Sequence, residues 1–489
     1  MKQERAITRR DKISRKHAET GIFIYLSEAN GKSCMQKKTL PITAPQQGML
    51  VSIDVKVGDV VHRGQPIAVM EAMKMEFIVE ANIDGVVREI VVSEEDAIAT
   101  GQPLLFIEPV AATREHVEQV KSIDLDAIRP DLREARERHA IGWDESRPEA
   151  VERRRRSGQR TVRENIADLC DADSFIEYGA LTLAAQRRRR PLEDLIKLSP
   201  ADGLVTGIGT VNGTVFPAEQ SRCMVLAYDY TVFAGTQGVM NHKKTDRLLR
   251  LARQWKLPIV LFAEGGGGRP GDTDWSGVAG LDNTTFLNFA RLSGLVPLVG
   301  IVSGRCFAGN AALLGCCDVI IATQDATIGM GGPAMIEGGG LGVFAPEEVG
   351  PVSMQAPNGV IDVLVADEAE AVRVGKQYLS YFQGNTTDWT CPDQRLLRQL
   401  IPENRLRIYD MHTVIETLAD EHSVLELRRQ FGLGIITAFI RIEGRPLGVI
   451  ANNPQHLGGA IDANAADKAA RFMQLCDAFG LPMLSLCDT

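Results

Sequence analysis

Two internal repeats constrain the fold of this chain more than any single motif. In residues 41–110, Gly48, Ile53, Asp59, Gly64, Gln65, Pro66 and Glu71 return 37 positions later as Gly85, Ile90, Asp96, Gly101, Gln102, Pro103 and Glu108. Between them run β-type stretches, VSIDVKV and IAVM in one copy and VVREIVV and LLFIE in the other. Two such four-strand-like halves make a small all-β domain with pseudo-twofold symmetry. Each repeated Gly fills a turn that needs φ > 0 or a close backbone approach. The halves are joined only by EAMKMEFIVEAN, which places Lys74 at the tip of a hairpin.

The second repeat is larger. Ile166, Leu169, Asp171, Ser174 and Glu177 recur 249 residues later as Ile415, Leu418, Asp420, Ser423 and Glu426. Further on the offset is 224: Gly235, Lys244, Arg247, Leu251, Leu257 and Pro258 match Gly459, Lys468, Arg471, Leu475, Leu481 and Pro482. The difference of 25 places an insertion in the first copy, most simply within 180–203. Each copy shows a β-hairpin region, a helix such as KKTDRLLRLARQW and a buried strand such as LPIVLFAE, the alternation of an α/β fold. The expected order is a tail over 1–40, the all-β domain over 41–110, a charged linker over 111–160 and two repeated subdomains over 161–385 and 386–489. The second copy stops where the first still runs from 264 to about 375, so it is expected to be partial, in a fragment or a chain completed by another.

Composition narrows the function. Lys+Arg 54 against Asp+Glu 63 leaves a net charge of −9, which argues against a nucleic-acid protein. No apolar run reaches the roughly 18 residues of a membrane span. The start MKQERAITRRDKISRKH is too charged for a signal peptide, and its Glu4 and Asp11 are foreign to an import peptide. Nine cysteines without a C-x-x-C pattern point to neither a disulfide framework nor a zinc site. The eight histidines form no metal-binding spacing, so none is nominated as ligand or base. These features fit a cytoplasmic, metal-free protein.

A surface lysine is ordinarily a solvated charge, but Met73 and Met75 flank Lys74 at what should be an exposed turn. Ala-Met-Lys-Met resembles the attachment site of biotin carboxyl-carrier domains, and the resemblance covers about 42–109. Lipoyl domains share the repeat but usually present Asp-Lys-Ala there. The resemblance implies a barrel-sandwich domain carrying biotin on Lys74 between Met73 and Met75, a swinging arm that makes transfer effectively intramolecular.

In the first large copy, GGGGRPGD follows a strand, SGRCFAGNAALLG follows another, and ATIGMGGPAMI comes after CDVIIAT. Glycines at strand ends let amides approach a ligand, which nominates Gly266, Gly267, Gly268, Gly331 and Gly332 for substrate binding. The turn FAGN opening a helix aims free amides at one point, which suits an oxyanion and nominates Gly309 and Asn310. With YDYTVFAGTQG and IANNPQHLGGAIDANAADKAARF, these segments in this order resemble the carboxyltransferase of biotin-dependent acyl-CoA carboxylases, in which both copies are crotonase-like. The match runs from about 160 to the end. It implies that CO₂ released from carboxybiotin on Lys74 adds to the α-carbon of an acyl-CoA, acetyl- or propionyl-CoA. The enolate oxygen would sit against the Gly309 and Asn310 amides. It further implies a separate biotin carboxylase subunit or domain, a biotin protein ligase, and a homo-oligomer with an intersubunit site. The family's loop usually reads Ala-Gly-Gly-Ala where this chain has Ala308, Gly309, Asn310 and Ala311. Asn310 is therefore expected to fit its bulk beside the substrate.

A biotin-dependent decarboxylase or transcarboxylase is the nearer alternative. A non-catalytic biotin carrier on a degenerate crotonase-like scaffold is the more distant one. Arg153–Arg156 reads as part of a solvated linker. Arg187–Arg190, in the first-copy insertion, reads as a solvated run, with contact to coenzyme A phosphates as the alternative. Cys316 and Cys317 read as core packing.

Overall fold

The 37-residue repeat folds as an exchange of two sheets. The computed structural model describes residues 38–110, 124–274, 283–404 and 406–488. Most of the expected N-terminal tail, and residues 111–123 of the expected linker, lie outside them. The chain divides into two units, Met1–Leu125 and Asp126–Thr489.

In the first unit, β1 (Leu40–Thr43), β2 (Gly48–Ile53), β3 (Val60–Val61) and β4 (Pro66–Ala72) are followed by β5 (Met75–Glu80), β6 (Gly85–Ile90), β7 (Ala97–Ile98) and β8 (Pro103–Pro109). One sheet has the order β1-β8-β6-β3, the other β5-β4-β2-β7. Adding 37 to the strands of one half turns the first order into the second. The bulges match as well, between Leu50 and Ser52 in one sheet and Val87 and Glu89 in the other. Buried Leu50, Val61, Ile67, Met70, Val87, Leu105 and Ile107 fill the space between the sheets.

The repeated polar residues make the same bonds in each half. Asp59 accepts the Lys56 amide and Asp96 the Ser93 amide, both at 2.8 Å. Gln65 accepts the His62 amide and Gln102 the Ala99 amide, both at 3.0 Å. The glycines divide into the two expected kinds. Gly64 and Gly101 have φ of 87° and 80° in open turns, while a side chain on Gly48 or Gly85 would strike the Glu71 or Glu108 carbonyl oxygen.

In the second unit, β9 (Ile176–Glu177), β10 (Leu204–Thr210), β11 (Arg222–Tyr228), β12 (Ile259–Phe262) and β13 (Leu298–Val302) belong to one sheet. Next come β14 (Arg305–Phe307), β15 (Val319–Thr323), β16 (Thr327–Gly329) and β17 (Val363–Val365). The sheet order is β17-β15-β13-β12-β11-β10-β9, parallel from β17 to β11, with β14 and β16 forming a separate parallel pair. The parallel strands are apolar and buried throughout, as a sheet covered on both faces requires. Helices Val239–Trp255 and Thr285–Ala290 cover one face. Helices Val162–Leu169 and Glu368–Ser380, with Phe439 and Phe472 of the second copy, cover the other. The second copy contributes β18 (Leu425–Leu427), β19 (Ile435–Ile442), β20 (Arg445–Asn452) and β21 (Met483–Leu486) in that order. These strands correspond to β9, β10, β11 and β12, and the arrangement is the crotonase-like α/β fold.

Shared hydrogen bonds establish the correspondence. The Asp171 amide donates to Thr210 O and the Asp420 amide to Arg441 O, both at 2.8 Å; Ser174 and Ser423 each bond back to the preceding Asp carbonyl at 2.7 Å. The insertion is not one block at 180–203, however. Glu177 faces Gly207 where Glu426 faces Ala438, and Thr210 faces Arg222 where Arg441 faces Pro446. Eighteen extra residues therefore lie between β9 and β10, and seven in the turn after β10. The sequence offset sums both, and only strand pairing separates them.

The expected linker ends early. Helix Pro130–Ala140 has no buried residue, as its charge pattern predicts. From Asp144 onward the chain belongs to the α/β unit: Arg147 donates to Asp229 Oδ2 at 2.9 Å, and Arg154 is 8% exposed. Their carboxylate partners are remote in sequence, so the segment looks solvated when read alone.

One clasp differs between the copies. Arg163 bonds Glu177 at 2.8 Å, whereas its counterpart His412 lies 3.2 Å from Glu426 Oε2 and 3.1 Å from Asp410 Oδ1. Hydrogen bonding to Glu426 raises the His412 pKa, against desolvation, with Asp410 adding to the rise. A raised folded-state pKa gives stability that is complete below the unfolded value of about 6.5 and fades as pH climbs through the folded one. The unfolding midpoint of wild type relative to His412→Gln is therefore expected to fall between pH 6 and 8; a constant difference across that range would contradict the clasp.

Candidate active site

Ala72 pairs with Met75, leaving Met73 and Lys74 as the two-residue turn of the β4–β5 hairpin. Their φ values are 53° and 66°, the left-handed pair of a type I′ turn, whose twist matches that of the strands. Neither residue is glycine, so the ladder holds a turn that costs about 1–2 kcal/mol per residue. Met73 is 97% and Met75 71% exposed, and Lys74 is exposed between them. The amine thus stands at the end of a stiff hairpin, where an amide-linked prosthetic group fits without disturbing the sheet.

In the α/β unit, four segments meet beyond the strand ends. The Gly265 amide donates to Arg305 O at 2.8 Å and Gly265 O accepts from Phe307 N at 2.9 Å; Ala308 N donates to Gly329 O at 2.9 Å. The loops after β12, β14 and β16 are thereby laced together, bringing Gly266–Gly268, Gly309 and Gly331–Gly332 to one place. A Cβ on Gly332 would meet the Phe307 ring at 3.6 Å, an ordinary contact distance. The fourth segment, Phe233–Gln237, is one the sequence reading did not single out residue by residue. Phe233, Ala234 and Gly235 are consecutively left-handed, with φ of 50°, 53° and 62°. Ala234 O accepts the Gly266 amide at 3.1 Å, and Gln237 N donates to Gly267 O at 2.7 Å.

The Asn310 side chain is turned into the protein and does not open onto the surface of this cluster. It is fully buried; its Oδ1 accepts the Gly267 amide at 3.0 Å and its Nδ2 donates to Gly235 O at 3.3 Å. The side chain is a staple between two glycine loops. This also corrects the list of available amides, because those of Gly266 and Gly267 are already engaged. Among the described residues of these loops, the amides of Ala234, Gly268, Gly309, Gly331 and Gly332 have no acceptor, and all five residues reach the surface. The Asn310 amide also lacks one but is closed to solvent. Gly309 must be glycine, since a Cβ there would overlap Gln237 Oε1; Gln237 Nε2 is held by the Tyr228 hydroxyl at 2.9 Å.

Behind the Gly265–Gly268 loop lies an ion pair whose two partners, 110 residues apart, carry no motif that would join them. Arg154 grips Glu264 with both ends of its guanidinium, Nη1 to Oε1 at 2.8 Å and Nη2 to Oε2. Glu368, 3.6 Å from Arg154, bonds the Asn165 side chain at 3.0 Å and the Ser303 hydroxyl at 2.8 Å. Burial pushes the Glu264 carboxyl up to about 7, with the Arg154 fork pulling the other way. The pair borders a cavity of about 490 Å³ whose lining includes Tyr230, Arg305 and Asp325. Arg154→Met leaves a buried carboxylate alone, a loss of about 3–5 kcal/mol. We expect that loss to be smaller at pH 6 than at pH 8, because a lone Glu264 takes up a proton, and to be partly recovered in Arg154→Met/Glu264→Gln. Denaturant titration of the three proteins checks this; a double variant less stable than Arg154→Met would contradict it.

Comparison with known proteins agrees with both halves of this geometry. Residues 40–107 match the family described as biotin-requiring enzyme, so the cofactor is covalently attached biotin. A solved structure titled as a single-chain, multi-domain long-chain acyl-CoA carboxylase is 52% identical, with a TM-score of 0.72, covering 94% of this chain and 44% of that one. The transcarboxylase 12S structure, titled as a hexamer assembly with hydrolysed methylmalonyl-coenzyme A bound, is 28% identical at a TM-score of 0.62, covering 73% of this chain and 70% of that one. The methylmalonyl-CoA carboxyltransferase 12S subunit of Propionibacterium freudenreichii subsp. shermanii is 32% identical over 69% of this chain; the match spans 64% of that protein. Among the described residues, no helix is long and apolar enough to cross a membrane. Residues 153–489 match the carboxyl transferase domain, and the chain belongs to that family.

Proposed function

We propose that this chain holds biotin on Lys74 and moves a carboxyl group between that cofactor and the α-carbon of an acyl-CoA. The observation that carries the proposal is the occurrence in one chain of an exposed hairpin-tip lysine and a cluster of strand-end glycines with unengaged amides. Biotin supplies a carrier for the carboxyl group. The protein's own part is to bind the thioester and stabilise charge on its oxygen. The Gly309 amide is the principal donor, with those of Gly268 and Ala234 bordering the same place. One such donor contributes about 2.7–4 kcal/mol to a transition state that develops an oxyanion. Gly331 and Gly332 shape the wall beside it, and the Asn310 staple sets the spacing of the two loops.

Carboxylation is favoured over decarboxylation or transcarboxylation by the long-chain carboxylase likeness, which runs through both the biotin-bearing and the transferase regions. Biotin carboxylase activity then comes from another domain or subunit, and a biotin protein ligase loads Lys74. The 12S likeness supports a homo-oligomer. The cysteines of the described residues are all free, which supports a reducing, cytoplasmic setting. The test supplies the biotin-loaded protein with a biotin carboxylase, ATP, labelled bicarbonate and acetyl-, propionyl- or a long-chain acyl-CoA, and measures thioester binding in parallel. Acid-stable label in a carboxyacyl-CoA supports the reading; neither binding nor label with any thioester overturns it.

A further inference from the structure

Two left-handed turns stand beside the Gly266–Gly268 loop, and one buried ion pair joins them. Ala201, Asp202 and Gly203 have φ of 52°, 52° and 70°; Phe233, Ala234 and Gly235 have φ of 50°, 53° and 62°. Residues other than glycine avoid this region, so four of these six positions hold strained backbone that the surroundings must enforce. Arg269, the residue after Gly268, reaches both turns. Its Nη1 donates to Asp202 Oδ1 at 2.6 Å, and its guanidinium lies over the Phe233 ring, 5.1 Å from the centroid. The side chains of Arg269 and Asp202 are 4% and 0% exposed. Among the described residues, the Asp202 contact is the only hydrogen bond of this guanidinium; Asp272 Oδ1 stands 3.7 Å from its Nε.

Each end of the pair is anchored. Asp202 Oδ2 accepts the Asn241 amide at 2.7 Å, and Lys244 Nζ donates to Ala201 O at 3.1 Å and to Leu204 O, so helix Val239–Trp255 grips the first turn. The Arg269 amide donates to Gln237 O at 2.8 Å while the Gln237 amide donates to Gly267 O, which ties the second turn to the glycine loop. A Cβ on Gly238 would strike Arg269 Nη2 at 2.0 Å, so the guanidinium fills the space beside that glycine. The second copy builds the same kind of turn without the acid. Leu457, Gly458 and Gly459, the counterparts of Phe233, Ala234 and Gly235, have φ of 48°, 65° and 89°. Strand register, which matches Gly207 to Ala438, puts Leu433 where the first copy has Asp202, and Leu433 is 47% exposed. Two glycines ease the left-handed backbone there. The first copy, with Ala234 in place of one of them, carries a buried ion pair instead.

We propose that the Asp202–Arg269 pair is a positioning device for carboxyl transfer: it holds the Ala234 and Gly268 amides in place beside the Gly309 amide, where the thioester oxygen gains charge. Ala234 follows the residue that Arg269 covers, and Gly268 precedes Arg269 itself, so one guanidinium controls the backbone next to both free amides. Both side chains of the pair are closed to solvent, so their effect passes through that backbone and not through contact with substrate. Donors fixed in advance need no reorganisation as the oxyanion develops. The proposal rests on the acyl-CoA reading above.

The test compares the biotin-loaded full chain as wild type, Arg269→Met and Arg269→Met/Asp202→Asn, supplied with a biotin carboxylase and propionyl-CoA. Arg269→Met strands a buried carboxylate and is expected to lose stability. Adding Asp202→Asn removes that charge and keeps an acceptor for the Asn241 amide, so the double variant should regain most of the lost unfolding midpoint. Its kcat should nevertheless stay at least about tenfold below wild type, with KM for propionyl-CoA within about threefold. S-Propyl-CoA, a thioether without the carbonyl oxygen, should bind the double variant and wild type alike. A kcat that returns together with stability overturns the positioning role, as does a rise in KM in place of the fall in kcat or a matching loss of thioether binding. Should both variants misfold, Arg269→Lys keeps a charge for Asp202 but not the plane over Phe233; the same fall in kcat at steady KM is expected, and an unchanged kcat overturns the proposal. Wild type that binds neither propionyl-CoA nor S-propyl-CoA, or transfers nothing to the former, would instead count against the acyl-CoA reading itself.

Discussion

Lys74→Arg is expected to abolish both biotin loading and carboxyl transfer while leaving the hairpin intact. Biotin joins a lysine through an amide to the ε-amine, and a guanidinium does not form that bond. The residue is exposed at a turn whose backbone is set by the β4–β5 ladder, so arginine inherits the same left-handed conformation without losing a contact. Intact mass after co-expression with a biotin ligase should show one adduct on wild type and none on the variant, and the thermal midpoints should agree. Transfer to acyl-CoA should drop to background. An adduct surviving in Lys74→Arg would place the biotin elsewhere. A fully loaded wild type beside a transfer-competent Lys74→Arg would remove the arm from the mechanism altogether.

The second large effect is expected at Asn310. Asn310→Ala strips the Gly267 amide of its acceptor and Gly235 O of a donor, both inside the protein. A buried polar group left unsatisfied costs about 1–3 kcal/mol, so the two together destabilise by roughly 3 kcal/mol. The loops joined by this staple bear the Gly268 and Ala234 amides, and a displacement of about 1 Å at a reacting centre can cost about 10²-fold in rate. Asn310→Asp separates the two bonds. Its carboxylate still accepts from Gly267, but when ionised it faces Gly235 O with no proton to donate. Its transfer rate should therefore be low at pH 8 and recover in part toward acid, where a buried Asp binds a proton. Wild type serves as the reference for each pH. Transfer and stability in Asn310→Ala within twofold and 0.5 kcal/mol of wild type, respectively, would mean that the staple holds nothing.

Much of the architecture was written in spacing. The 37-residue offset dictated two like halves, and the polar repeats at Asp59/Asp96 and Gln65/Gln102 recur as identical bonds because turn geometry is local. The hairpin tip at Lys74 followed for the same reason, since one short segment joins the halves. The larger repeat likewise announced paired α/β copies. What residue type could not say is which partner each group takes. Gly266, Gly267 and Gly268 are chemically alike, yet only the Gly268 amide is left for a ligand, because Ala234 O and Asn310 Oδ1 claim the other two from segments 32 and 43 residues away. Two similar arginine runs part ways because Glu264 reaches Arg154 across 110 residues, while among the described residues no carboxylate forms an ion pair with Arg187–Arg189 and Asp274 acts on Arg188 only at longer range. Local conformation and burial period follow from neighbours in sequence. The availability of an amide or a charge depends on long-range pairing, and the tertiary structure alone decided it.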